Sequence, residues 1–182
     1  MNKALKWTLI VVAALGIIGY AGMGYLKKQT KKHSPQDTVV YEEGDHRMEV
    51  VYCRPYKKGR EIFGGLVPYG EVWRTGANEA TTFSTNESIS FGGARLDRGI
   101  YTLWTIPGEE NWQVILNNGD YGWGVGFDAK AARKSEFDVA SIEVPVEKTA
   151  QEIEQFTIRF VDNSLELSWE NSRVRVPIAT LE

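Results

Sequence analysis

Six residues whose types can do polar chemistry fall within one short stretch. Arg54, Arg60, Trp73, Arg74, Asn78 and Glu79 all belong to residues 54–83, RPYKKGREIFGGLVPYGEVWRTGANEATTF. Arginine presents a planar fork of donors that matches a carboxylate or a phosphate through two parallel hydrogen bonds. Two readings of the group stand. In the first, the three guanidinium groups pair with Glu61, Glu71, Glu79 and buried carbonyls as an internal clamp that holds a long loop in one shape. In the second, Arg54, Arg60, Arg74, Asn78 and Glu79 line a pocket for an anionic or polyhydroxylated small molecule, a carbohydrate for example, with Trp73 as a wall.

A catalytic version of the second reading is hydrolysis of sugar or cell-envelope material through Glu79. Glycoside hydrolysis needs two carboxyls roughly 5–10 Å apart, and Glu71 is the partner that the stretch offers Glu79. Other chemistries lack parts. The two histidines, His33 and His46, precede the main run of strand signals, too few for a triad or a histidine-rich metal site. His46, in DHRMEV, reads as a solvated residue at the entry to a strand. GGLVPYG lacks the lysine and following helix of a phosphate-cradling loop. Neither a cofactor nor a metal is expected. Cys53 is the sole cysteine, which excludes an internal disulfide; in a strand-like run it reads as a buried apolar thiol.

The stretch itself is neither helix nor strand. Glycines at 59, 64, 65, 70 and 76 and prolines at 55 and 68 interrupt every apolar run, so it must be carried by what flanks it. Before it, Met48, Val50 and Tyr52 alternate with less apolar neighbours, as a half-buried strand does. After it, strand signals recur at short intervals: 81–85 and 88–91 around a turn at Asn86-Glu87, then 94–96, 100–106, 112–116, 137–146, 153–161, 165–169 and 174–178. Ile100, Thr102, Trp104 and Ile106 share a face, and Glu170-Asn171-Ser172 reads as a turn. Helix leaning is confined to 128–136. Residues 119–127, GDYGWGVGF, read either as an irregular strand or as a loop presenting Tyr121 and Trp123. Trp104, Trp112 and Trp169 fall at alternating positions and read as core; Trp73 and Trp123 sit in glycine-flanked loops, where an indole can fill the core or stack on a flat ligand. The fold expected is all-β, an antiparallel β-sandwich of jelly-roll type. A βαβ arrangement fails for want of crossover helices.

Ahead of this domain lies a different chemistry. Residues 7–26 carry no charge, and about 20 apolar residues span a bilayer core as a helix. Trp7, Tyr20 and Tyr25 suit the interfacial belts. The expected division is an anchor over 1–26, a polar linker over 27–38 and the sandwich over 39–182. A cleavable signal peptide is the rival reading of the first segment. Residues 1–32 hold six lysines and no acid, whereas the remaining 15 basic residues meet 24 acids, so the domain carries −9. That acidity argues against nucleic acid as a partner and leaves the membrane, through the helix, as the expected one. Lysines flank both ends of the apolar segment, so charge alone does not orient it.

The register of residues 54–83, followed by GIYTLWTIPGEENWQVILN, resembles a bacterial family known as domain of unknown function 2911, over roughly residues 38–180. The family pattern R-P-x-x-K-G-R-x-I-F-G-x-L-V-P-Y-G-x-V-W-R-T-G-A-N-E stands here at Arg54, Pro55, Lys58, Gly59, Arg60, Ile62, Phe63, Gly64, 66–70 and 72–79. The resemblance implies an exported bacterial protein of mostly β structure, hence a single-pass inner-membrane protein with its domain in the periplasm, and brings no reaction with it. Many relatives start with an ordinary signal peptide. This chain starts with a full-length apolar segment, so release into the periplasm does not carry over.

Overall fold

The alternating pattern becomes strands in two antiparallel sheets. The computed structural model describes residues 2–126 and 128–181; Met1, Glu182 and Phe127, the last residue of the glycine–aromatic stretch, lie outside the described residues. A helix, α1 (Lys3–His33), is followed by β1 (Gln36–Glu43), β2 (His46–Cys53), β3 (Thr82–Thr85), β4 (Ile89–Phe91), β5 (Ala94–Leu96), β6 (Gly99–Ile106), β7 (Asn111–Asn117), β8 (Asp138–Pro145), β9 (Glu147–Val161) and β10 (Ser164–Thr180). One sheet has the order β1-β2-β3-β6-β7-β8 and the other β5-β4-β10-β9. Each paired neighbour runs antiparallel.

The inward faces meet in one core. Met48, Val50 and Tyr52 of β2, Phe83, Leu103, Val114 and Leu116 oppose Phe91, Phe156, Ile158, Leu167, Val174 and Val176. Burial of that much apolar surface at about 25 cal/mol per Å² is what closes the sandwich. Tyr52 crosses the layer: its hydroxyl donates to the Ile158 carbonyl at 3.3 Å and accepts from the Ile158 amide at 2.9 Å. A side chain of the first sheet thus satisfies backbone groups of the second.

Several expectations are corrected. The segment 27–38 is not a loose linker: α1 continues through His33, and β1 starts at Gln36. Its lysines favour helix intrinsically and complement the negative end of the helix dipole; the helix stops at Ser34, before Pro35, where the α region becomes unfavourable. Asn86-Glu87 does not close a hairpin. β3 pairs with β2 and β6, while β4 pairs with β5 and β10, so the link crosses between sheets. Glu170-Asn171-Ser172 is a pair of register irregularities inside one long strand, with Glu170 at φ +54°. Within 128–136 only the start of a 3-10 turn, Ser135–Phe137, is helical. Two isolated helical turns are marginal, and here the backbone bonds across to 124–126 instead, Gly126 to Lys130 and Ala132 to Gly124.

His46 is buried, with Nδ1 3.4 Å from the Glu87 carboxylate, because β2 starts with it and its ring turns inward beside Tyr41. Trp104 is buried too, but away from the main core. It packs edge-on against Tyr121 and donates its indole N–H to Thr102. The loop after β7 therefore straps the outer face of the first sheet, while Ile100, on that same face beyond the strap, is exposed.

Every apolar side chain of α1 faces outward, with none buried. The helix is long and apolar enough to cross a membrane. An exposed apolar surface of this size on a soluble protein marks an interaction site or an aggregation hazard; a bilayer removes it from water.

Candidate functional site

Strand lengths create the site. β6 is longer than β3, and pairing with β3 occupies only its first half, Gly99 to Thr102. The rest of its edge would carry unpaired amides. The long loop fills it. Leu103 donates to Thr81, Trp73 and Thr105 exchange bonds of 2.7 and 3.0 Å, and Gly70 donates to Pro107. To double back, the chain passes Gly76 at φ +150°, where a Cβ would stand 2.9 Å from the Cys53 carbonyl oxygen. Glycine is the residue that fits there.

This path drives Trp73 into an aromatic cluster. Its ring lies nearly parallel to Trp169, 18° apart with centroids at 5.9 Å, and meets Phe156 at 4.9 Å. Phe63, from the same loop, wedges against Trp73, Trp112 and Trp169. The glycines and prolines that deny this loop regular structure thus deliver two aromatic anchors to the core.

The six candidate residues separate into two places. Arg54, Asn78 and Glu79 form a corner where α1 meets the domain. Arg54 donates to Asp37 of β1 at 3.0 Å, to the Phe156 carbonyl at 3.1 Å and to the Thr157 hydroxyl at 2.9 Å. Asn78, buried and at φ +59°, donates to the Ser34 carbonyl. Glu79 faces Lys31 at 3.2 Å and accepts from the Cys53 thiol at 3.5 Å. Burial pushes the Glu79 carboxyl up, but bonds from its own backbone amide, Lys31 and Cys53 outweigh it and leave the group below its ordinary value. The Cys53 thiol is pushed up, chiefly by burial, and stays protonated.

Arg60, Trp73 and Arg74 line a cleft of about 930 Å³ elsewhere on the loop. Its charged lining is one-sided: Lys58, Arg60, Arg74 and Lys130 stand against the single carboxylate of Glu71. Arg60 is exposed and donates to the carbonyls of Tyr56 and Lys57. Arg74 is half-buried and donates one bond, 2.9 Å, to the Trp123 carbonyl. Among the described residues no carboxylate comes within ion-pair distance of it. None of its nitrogens, among the described residues, is both buried and unpartnered, and the residue lines the cleft. Burial lowers its pKa, partly offset by the field of Glu79. Gly124 lies against it at φ +75°, where a Cβ would stand 3.1 Å from Arg74 Cδ. Trp73, partly exposed, forms an aromatic part of the wall, and Trp169 is buried behind it.

Of the clamp reading, the carboxylate half does not form among the described residues, while the carbonyl half does, each of the three arginines donating to a backbone carbonyl. Arg54 pairs with a strand residue, Arg60 with carbonyls and Arg74 with one carbonyl, while Glu61 and Glu71 are exposed. Glu71 and Glu79 are also parted, the first in the large cleft and the second in a separate pocket of about 260 Å³ beside Cys53. Sequence reasoning missed Lys130, Trp169 and His33 as cleft residues. Lys58 lay in the stretch itself, but Lys130 and Trp169 arrive from loops and strands remote in sequence, and no local spacing marks them.

A family model described as "Protein of unknown function (DUF2911)" matches residues 34–178, most of the chain, and the chain belongs to that family. No curated protein and no solved structure matches it.

Proposed function

We propose that this member of the DUF2911 family is a membrane-tethered binding module of the bacterial periplasm. In this reading α1 is an uncleaved single-pass anchor in the inner membrane, and the cleft takes a small anionic ligand with a flat or polyhydroxylated part. The observation that carries it is the sign of the cleft. A domain of net −9 gathers four cations against one carboxylate on a single concave surface. A cleft of one sign focuses the field and concentrates counter-ions of the other. Arg74 supports it further, because desolvating a guanidinium without a carboxylate partner costs stability that an internal clamp would have recovered.

The test has two parts. After a carbonate wash the full chain stays with membranes, and recovery of a mature form lacking the apolar segment would replace the anchor with a signal peptide. Full-length protein in zwitterionic micelles, titrated calorimetrically with glycerol 3-phosphate, binds saturably and more weakly as salt rises. Arg74→Met abolishes that binding. Absence of saturation in the parent, both by glycerol 3-phosphate and by a short-chain anionic phospholipid, would sink the binding reading.

A further inference from the structure

The cleft sits where the anchor ends, and that position narrows the ligand. α1 runs unbroken from the apolar segment to His33, and only Ser34 and Pro35 separate it from β1. Its end is pinned to the domain. Lys31 meets Glu79 and Gln36, Asn78 holds the Ser34 carbonyl, the Arg54 amide bonds Pro35, and Lys27 lies over the Trp123 ring at 5.9 Å. A tether of this kind does not let the domain swing; it sets a height.

The apolar run ends at Leu26, and the seven residues 27–33 add about 10 Å at 1.5 Å each. The polar layer on each side of a bilayer core is roughly 5–8 Å deep. His33 and Ser34, at the top of that rise, are themselves part of the cleft wall. The cleft therefore abuts the outer edge of the headgroup layer. Below it, Lys27, Lys28 and Lys32 form a positive collar on the last turns of α1, and the cleft's own charged lining is mostly cationic. Juxtamembrane cations of this density attract anionic lipid.

We infer that the anion the cleft takes is the phosphate headgroup of an anionic membrane lipid, with Arg74 and Lys130 on the phosphate. This rests on the binding reading above and adds the source of the phosphate. Arg74 suits the role because a guanidinium already stripped of part of its water, and bonded once to a fixed carbonyl, loses little more on meeting a phosphate.

The experiment uses the full chain in zwitterionic micelles and follows tryptophan fluorescence, since Trp73 and Trp169 line the site. Three probes are compared: short-chain phosphatidylglycerol, short-chain phosphatidylcholine and glycerol 3-phosphate. The expected result is saturable binding of phosphatidylglycerol, at least about tenfold tighter than either of the others, with the preference lost in Arg74→Met and in Lys130→Gln. If glycerol 3-phosphate binds as tightly as the lipid, the cleft is a site for a soluble anion, and this inference falls while the binding reading survives. If neither phosphate compound saturates the protein, both fall. If phosphatidylglycerol binds Arg74→Met as well as the parent, the lysine collar is the binder and the inference falls again.

Discussion

Arg54 and Arg74 belong to one loop and one residue type, yet their surroundings differ in kind. Arg54 spends its donors inside the protein, on a carboxylate of β1 and on two groups of β9, and so joins the two sheets. Arg74 spends one on a carbonyl and, among the described residues, meets no carboxylate while lining a cleft with an excess of positive charge. A guanidinium whose hydrogen bonds close within the fold is a structural part. One that is desolvated and still unanswered marks a site kept for something else. The loop therefore does two jobs: Arg54 at its start and Asn78 and Glu79 near its end belong to the corner, while its cleft residues fall between them.

If that division holds, substitutions on the two sides differ in sign as well as size. Arg54→Ala is the largest expected loss. It removes three hydrogen bonds from a charged donor and leaves Asp37 without its cation, with an expected cost of about 1.5–3 kcal/mol. Denaturant unfolding of the full chain in micelles measures it, and a loss within about 0.5 kcal/mol would move Arg54 out of the structural class.

Glu79 comes next, and its effect depends on pH. Its carboxyl lies below the ordinary value of 4.5, so the unfolded chain binds its proton first. The contribution is complete above the ordinary value and is lost as pH falls through the lower folded value. Stability should therefore decline on acidification across that interval, and Glu79→Gln should flatten this part of the curve while lowering the plateau above it. A variant whose acid limb superposes on the parent's would show that the contacts of the carboxylate with its own amide, Lys31 and Cys53 carry no weight.

Arg74→Met should do the opposite of Arg54→Ala. The substitution keeps the aliphatic packing beside Gly124 and discards a poorly compensated charge, an exchange that is neutral or stabilising where ion partners are lacking. The melting temperature is expected to hold or rise, with anion binding lost. A marked fall would mean that Arg74 is a clamp after all. Arg60→Ala is the smallest: an exposed side chain capping two carbonyls should change stability by no more than about 0.5 kcal/mol.

The fold was more legible than the site, for a physical reason. Period-two alternation in 48–53, 112–116 and 153–161 is imposed by burying one face of a strand, so it is written locally. Edges and exceptions are not. That β3 is too short to cover β6, and that the loop completes the edge through Trp73 and Thr105, depends on strand lengths and pairing partners that no single segment records. The split of Arg54 from Arg74 is of the same kind, since Asp37, Phe156 and Thr157 come from both ends of the chain. Lys130 escaped because a stretch rich in helix-forming residues was bent into a hairpin by bonds to 124–126. Trp104 looked like core by its spacing, and it is buried, but by a strap on the far face.

One spectrum tests the division most directly. With the full chain in micelles, the arginine side-chain Nε–Hε signals are followed by NMR as glycerol 3-phosphate is added, Arg54 and Arg74 being assigned by substitution. The Arg74 signal is expected to shift and saturate while that of Arg54 stays in place. A titration in which Arg74 does not move, or in which Arg54 moves with it, would contradict the account.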